Sequence, residues 1–178
     1  MDYATTPSGR SKKPLIGGPA GGRAIVDGRE VIVLGSNNYL GLANHPAVIA
    51  AAQAALARYG AGPALNPPLA TTPIHEALCD ALARFHRTGS ALLFNYCTSA
   101  NVAVACTLAG AGDRVFSDRL NHASIIDGCR LSAAESKVYN HGDFAHLDTL
   151  LGERREGAKL VITDGVFSME GDLGPLPD

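Results

Sequence analysis

The sequence predicts an α/β fold, a three-layer α/β/α arrangement around a mostly parallel sheet. Three observations predict it. From Ala91 onward, short apolar runs alternate with segments whose apolar residues recur at helical spacing. The links between them are short, and polar turns follow the apolar runs. Such alternation builds parallel strands covered by helices on both faces.

The elements follow in order. Residues 1–22 are rich in Gly, Pro, Ser and Lys and have little to bury, so they are expected to form a flexible N-terminal arm. Arg23–Val26 and Glu30–Leu34 flank Asp27-Gly28, a two-residue hairpin signal, and Ser36–Leu42 follows as a polar loop. Pro46 suits a first helical position; Val48, Ile49, Ala52, Leu56 and Tyr59 keep helical spacing, and Gly60 ends the helix. Gly60–Pro68 is a loop by composition. Thr72-Pro73 opens the next helix as cap and first residue, with Ile74, Leu78, Ala81, Leu82 and Phe85 as its buried stripe and Gly89 as its end. Beyond it the alternation reads Ala91–Phe94 buried strand, Ser99–Leu108 helix, Arg114–Ser117 strand and Ala123–Leu131 helix. It continues as Lys137–Asn140 strand, Phe144–Gly152 helix and Lys159–Thr163 strand.

The 178 residues suit one domain with a real core. The net charge of −2, with no Lys/Arg block beyond Arg10–Lys13, argues against nucleic acid and anionic membranes as partners. The opening residues contain no apolar signal core, and no apolar stretch is long enough to span a bilayer, so a cytoplasmic protein is expected. Cys79, Cys97, Cys106 and Cys129 form no C-x-x-C pair and are expected to be small buried hydrophobes. No two of the six histidines stand at the i, i+4 spacing of a zinc helix, so no metal is expected. Gly60-Ala61-Gly62 follows a helix and lacks a third glycine, which removes the dinucleotide fingerprint, and there is no G-x-S-x-G elbow.

Three segments could carry chemistry. A helix start at Cys97–Asn101 would leave backbone N–H groups free to seat a phosphate, with Thr98 and Ser99 hydroxyls beside them. Ordinary capping by Thr98 or Ser99 is the alternative. His122 follows a strand and precedes a helix. It either caps that helix or presents a flat ring able to stack on a planar ligand and pass a proton, with Asp118 and Asn121 placed to orient it. Ser168 lies in a glycine-bracketed turn between Asp164 and Glu170, as a structural turn residue or as a donor to a phenolic or carbonyl oxygen.

The set Ser36–Leu42, Thr71–Glu76, Ala91–Asn101, Asn121–Gly128 and Asp164–Gly171, in this order and spacing, resembles the α-oxoamine synthases, a fold-type-I branch of the pyridoxal 5′-phosphate (PLP) enzymes. The likeness covers roughly residues 20–178. It implies that residues 23–45 hold a hairpin and a substrate loop, and that 46–178 are the N-terminal part of a PLP-binding large domain. The implied roles are Asn37 at the substrate carboxylate, Cys97 and Thr98 by the cofactor phosphate, His122 stacked on the pyridine ring, and Ser168 on the ring's phenolic oxygen. The implied reaction joins an amino acid to an acyl-CoA, in a homodimer.

Some residues depart from the family pattern. Cys97-Thr98 replaces a glycine–aromatic pair, and Asn66-Pro67-Pro68 stands where many members have an arginine and serines. The family's Schiff-base lysine would fall after Asp178, and Lys159 does not match its position. The chain is therefore expected to be a fragment, inactive alone. The alternatives are another fold-type-I enzyme, such as an aminotransferase, and a non-catalytic remnant.

Overall fold

A computed structural model describes residues 13–19, 21–62, 64, 69–153, 156–174 and 176. Most of the expected arm and most of Gly60–Pro68, including Asn66-Pro67-Pro68, lie outside the described residues. The chain divides into two compact units, Met1–Ile74 and His75–Asp178.

In the first unit, β1 (Arg23–Val26) pairs antiparallel with β2 (Arg29–Ile32). Asp27 and Gly28 both take positive φ, as the tight turn between them demands. Helix α1 spans Pro46–Tyr59, with His45 as its cap and Gly60 closing it at φ +78°. The helix boundaries match the sequence reading, yet no residue of α1 is buried.

Next come α2 (Pro73–His86), which from His75 onward belongs to the second unit, and α3 (Cys97–Leu108). Then come β3 (Arg114–Asp118), α4 (Ala123–Leu131), β4 (Glu135–Tyr139), α5 (Phe144–Leu151) and β5 (Lys159–Ile162). The strands form a parallel three-stranded sheet in the order β4-β3-β5. Connection β3–α4–β4 steps one way along the sheet, and β4–α5–β5 steps back across β3. Right-handed crossovers in opposite directions put their helices on opposite faces. The side chains of β3 accordingly split. Val115 packs with Ile125, Cys129 and Ala109 beside Leu160 and Ile162. Phe116 packs with Tyr139 and Leu147 beside Leu150 and Leu151. This is the expected three-layer α/β/α order, with fully buried β3 at its centre.

Three expectations need correction. Ala91–Phe94 forms no strand: no ladder joins it to the sheet, and Leu92 and Phe94 are exposed. A short apolar run becomes a strand only when it pairs with a sheet edge, and Ala91–Phe94 pairs with neither described edge strand, β4 or β5. The α2 stripe is not buried either; Ala83 is the buried residue of that helix, and Phe85 is 80% exposed. Spacing sets the helix, but burial needs an opposing surface. Of the four cysteines, all free, Cys129 is buried, while Cys97 and Cys106 are exposed on α3.

Candidate functional site

The turns after β3, β4 and β5 meet at the carboxyl end of the sheet. Strand order reverses at β3, and open α/β sheets bind ligands outside such a switch point. Asn121 builds the end of β3. It is 4% exposed, and its amide donates to Ser117 Oγ (2.9 Å) and the Ile162 carbonyl (2.8 Å). Its Oδ1 accepts from the Asp164 N–H at 2.8 Å. One amide therefore joins the β3 and β5 exits. Asp164 returns the link, its Oδ2 accepting from the His122 N–H at 2.7 Å.

His122 is exposed and caps α4, its Nδ1 accepting from the Ser124 N–H at 3.2 Å. Ser124 Oγ lies 2.7 Å from the same nitrogen. From α3, the Asn101 amide donates to Ser124 Oγ at 2.8 Å. The N-terminal half of α3 is thereby tied to the His122 ring. The cap of α3 is Tyr96, with no side-chain hydrogen bond, so neither Thr98 nor Ser99 fills that role. Cys97 and Thr98 are exposed at this helix start.

Ser168 occupies the exposed tip of a small turn. Val166 bridges Leu173, the Phe167 N–H donates to the Asp172 carbonyl (2.9 Å), and the Gly171 N–H to the Phe167 carbonyl (2.8 Å). Two partners hold the turn. Phe167 is buried edge-on against the His141 ring, with centroids 4.4 Å apart. His141 Nε2 also meets Asp172 Oδ2 at 2.8 Å. On its other side, Nδ1 meets Asp118 Oδ1 at 3.0 Å. Asp172 first, and Asp118 second, hold the His141 imidazolium above its ordinary pKa, and His141 pulls the Asp172 carboxyl down.

Of the expected set, the structure links the α3 start and His122 by hydrogen bonds; no hydrogen bond joins Ser168 to His122. Asn37 belongs to the first unit, exposed, its Oδ1 accepting from the Tyr39 hydroxyl at 3.4 Å. The orienting groups differ from expectation. Asp118 binds the Leu120 and Gly142 N–H groups and His141, so it serves the backbone and a different imidazole. Asn121 acts on Asp164, and the group on the His122 ring is Ser124. The sequence reading missed His141, Asp172 and Asn101. His141 carried one signal: like His122, it stands just beyond a strand in a polar turn.

The described lysines of this unit lie elsewhere. Lys159 starts β5 with its ammonium on the Leu151 carbonyl, and Lys137 pairs with Glu135 within β4. The site thus offers uncapped N–H groups, a flat exposed ring and a hydroxyl without a hydrogen bond among the described residues. This donor set suits a planar molecule carrying a phosphate and a ring oxygen.

The family profile for aminotransferase class I and II matches residues 29–178. The chain belongs to the aminotransferase class I and II family. This family is pyridoxal phosphate dependent. Among curated relatives, an 8-amino-7-oxononanoate synthase of Geobacter sulfurreducens is 51% identical over 164 residues, covering 91% of this chain. One from Thermoanaerobacter pseudethanolicus is 46% identical over 170 residues, covering 94%. The chain spans about 42% of the length of the curated relatives it matches.

Solved structures of the aminotransferase fold agree. A serine palmitoyltransferase variant from S. paucimobilis with a bound PLP–myriocin aldimine superposes with a TM-score of 0.88 at 37% identity, covering 93% of this chain and 42% of that one. An 8-amino-7-oxononanoate synthase from Francisella tularensis gives 0.69 at 28%, covering 80% and 39%. Both are α-oxoamine synthases, and the resemblance read from the sequence holds for this aminotransferase-family chain. Among the described residues no helix is long and apolar enough to cross a membrane.

Proposed function

We propose that this chain is the cofactor-cradling part of a cytoplasmic α-oxoamine synthase that condenses an amino acid with an acyl-CoA and works as a homodimer. Among such activities we choose 8-amino-7-oxononanoate synthesis, because the curated relatives at 46–51% identity carry that name. The observation that carries the reading is the Asn101–Ser124–His122 link, which sets a flat ring beside an uncapped helix start at the switch point of the sheet.

The N–H groups of Cys97 and Thr98 would hold the PLP phosphate, where the helix dipole favours an anion. His122 would lie against the pyridine ring, and Ser168 would donate its hydroxyl proton to the phenolic oxygen. Bound there, PLP supplies the electron sink for carbanion chemistry at the amino acid's α-carbon. The second unit orients the cofactor without covalent attachment, since its described lysines, Lys137 and Lys159, point to other partners.

Equilibrium dialysis of PLP against the 178-residue chain tests the reading. Saturable binding at one site is expected. His122→Ala should weaken it about tenfold, the upper end of a ring-stacking contact, and Ser168→Ala about fivefold, one hydrogen bond. Binding that ignores both substitutions, or borohydride fixation of PLP to one specific lysine, would overturn it.

A further inference from the structure

The hydrogen bonds around His122 contain one donor whose direction is fixed by covalent structure. The Ser124 backbone N–H can only donate, and it points at His122 Nδ1 from 3.2 Å. Nδ1 must therefore present a lone pair. Ser124 Oγ, 2.7 Å from the same atom, must then give its proton to Nδ1. That leaves the hydroxyl oxygen as an acceptor, and the Asn101 Nδ2–H group fills this role at 2.8 Å. Every bond in the chain Asn101 to Ser124 to His122 runs in one direction. The reversed amide of Asn101 would set an oxygen against an oxygen whose only proton is already committed.

The relay is built into the packing. Ser124 is 3% exposed. Asn101 is held at the closest approach of α3 and α4, where a Cβ on Gly128 would stand 3.0 Å from the Asn101 carbonyl oxygen. The ring of His122 itself is exposed, and its Nε2 has no hydrogen-bond partner among the described residues.

We propose that Asn101 and Ser124 are positioning residues that lock neutral His122 in the Nε2–H tautomer and fix the rotation of its ring. The ring then offers a planar, uncharged face and a single outward donor. The functional meaning of this lock rests on the proposed stacking of His122 against PLP; the lock itself belongs to the ligand-free chain.

Long-range 1H–15N correlation spectra of the histidine-labelled, PLP-free chain test it, at a pH where the imidazole is neutral. The expected spectrum shows His122 Nδ1 at the unprotonated nitrogen position and Nε2 at the protonated one. Asn101→Asp keeps the shape but turns the end of the relay into an acceptor, which draws the Ser124 proton away from Nδ1. With the Ser124 N–H at 3.2 Å left as the only donor to Nδ1, both His122 nitrogens should move part of the way toward the averaged positions of mixed tautomers, while Ser124→Thr keeps the wild-type pattern. A wild-type spectrum with the proton on Nδ1, or an Asn101→Asp spectrum identical to wild type, would overturn the assignment. If PLP fails to bind while these spectra come out as expected, the cofactor reading falls and the tautomer lock stands.

Discussion

His141 Nε2 meets Asp172 Oδ2 at 2.8 Å, and this contact fastens the turn carrying Ser168 to the rest of the sheet end. Asp118, 3.0 Å from the opposite ring nitrogen, completes a clasp of one imidazole between two carboxylates.

The clasp makes stability depend on pH in a defined window. The folded pKa of His141 is raised above 6.5, so its contribution is fully present below that value and is lost as pH rises through the raised folded pKa. The folded pKa of Asp172 is lowered below 3.8, so its contribution is present above that value and is lost as pH falls through the lowered one. The clasp is therefore strongest between pH 3.8 and 6.5. Urea midpoints of wild type and Asp172→Asn should differ most in that interval and converge toward alkaline pH. A difference that is flat from pH 4 to 9 sinks this account.

Asn121→Ala removes three hydrogen bonds that join β3 to β5 and Asp164. Left buried without partners, those groups should cost about 3 kcal/mol in all. The loss should appear as a lower urea midpoint at unchanged slope. An effect below about 0.5 kcal/mol, the level of ordinary surface substitutions, would show that water replaces the amide.

Gly128→Ala tests the contact between α3 and α4. The added methyl would meet the Asn101 carbonyl oxygen at 3.0 Å, Val102 Cα at 3.2 Å and Ala105 Cβ at 3.2 Å. Backbone atoms cannot swing aside, so the helices must separate, at a cost of about 1–3 kcal/mol. Thermal melts would read that cost. The Asn101–Ser124 bond should lengthen with it, and the His122 nitrogens should shift as in Asn101→Asp. A melt and a spectrum both unchanged would refute the tight packing.

Much of the fold was legible because its signals are local. Asp27-Gly28 placed the hairpin, Pro46 and Gly60 bounded α1, and the polar turn before Ala123 set the start of α4. Burial was less legible. The run Ala91–Phe94 and the stripe of α2 have the right composition, but a strand needs an edge and a stripe needs a facing surface, and neither can be read from the segment itself. The site divides the same way. His122 and Ser168 stood out from the turns that hold them. Their supports did not, because Asn101 reaches Ser124 across 23 positions and His141 reaches Asp172 across 31. Spacing along the chain carries no trace of such pairs.

An NMR titration of the chain with PLP reads the meeting of the sheet-end turns directly. The amides of Cys97, Thr98 and Ser168 and the ring protons of His122 should shift together along one saturating curve, with the ring protons moving upfield as they would beneath a stacked aromatic. Signals of His122 and Ser168 that follow different curves, or that stay still while PLP binds elsewhere, would contradict a shared cofactor cradle.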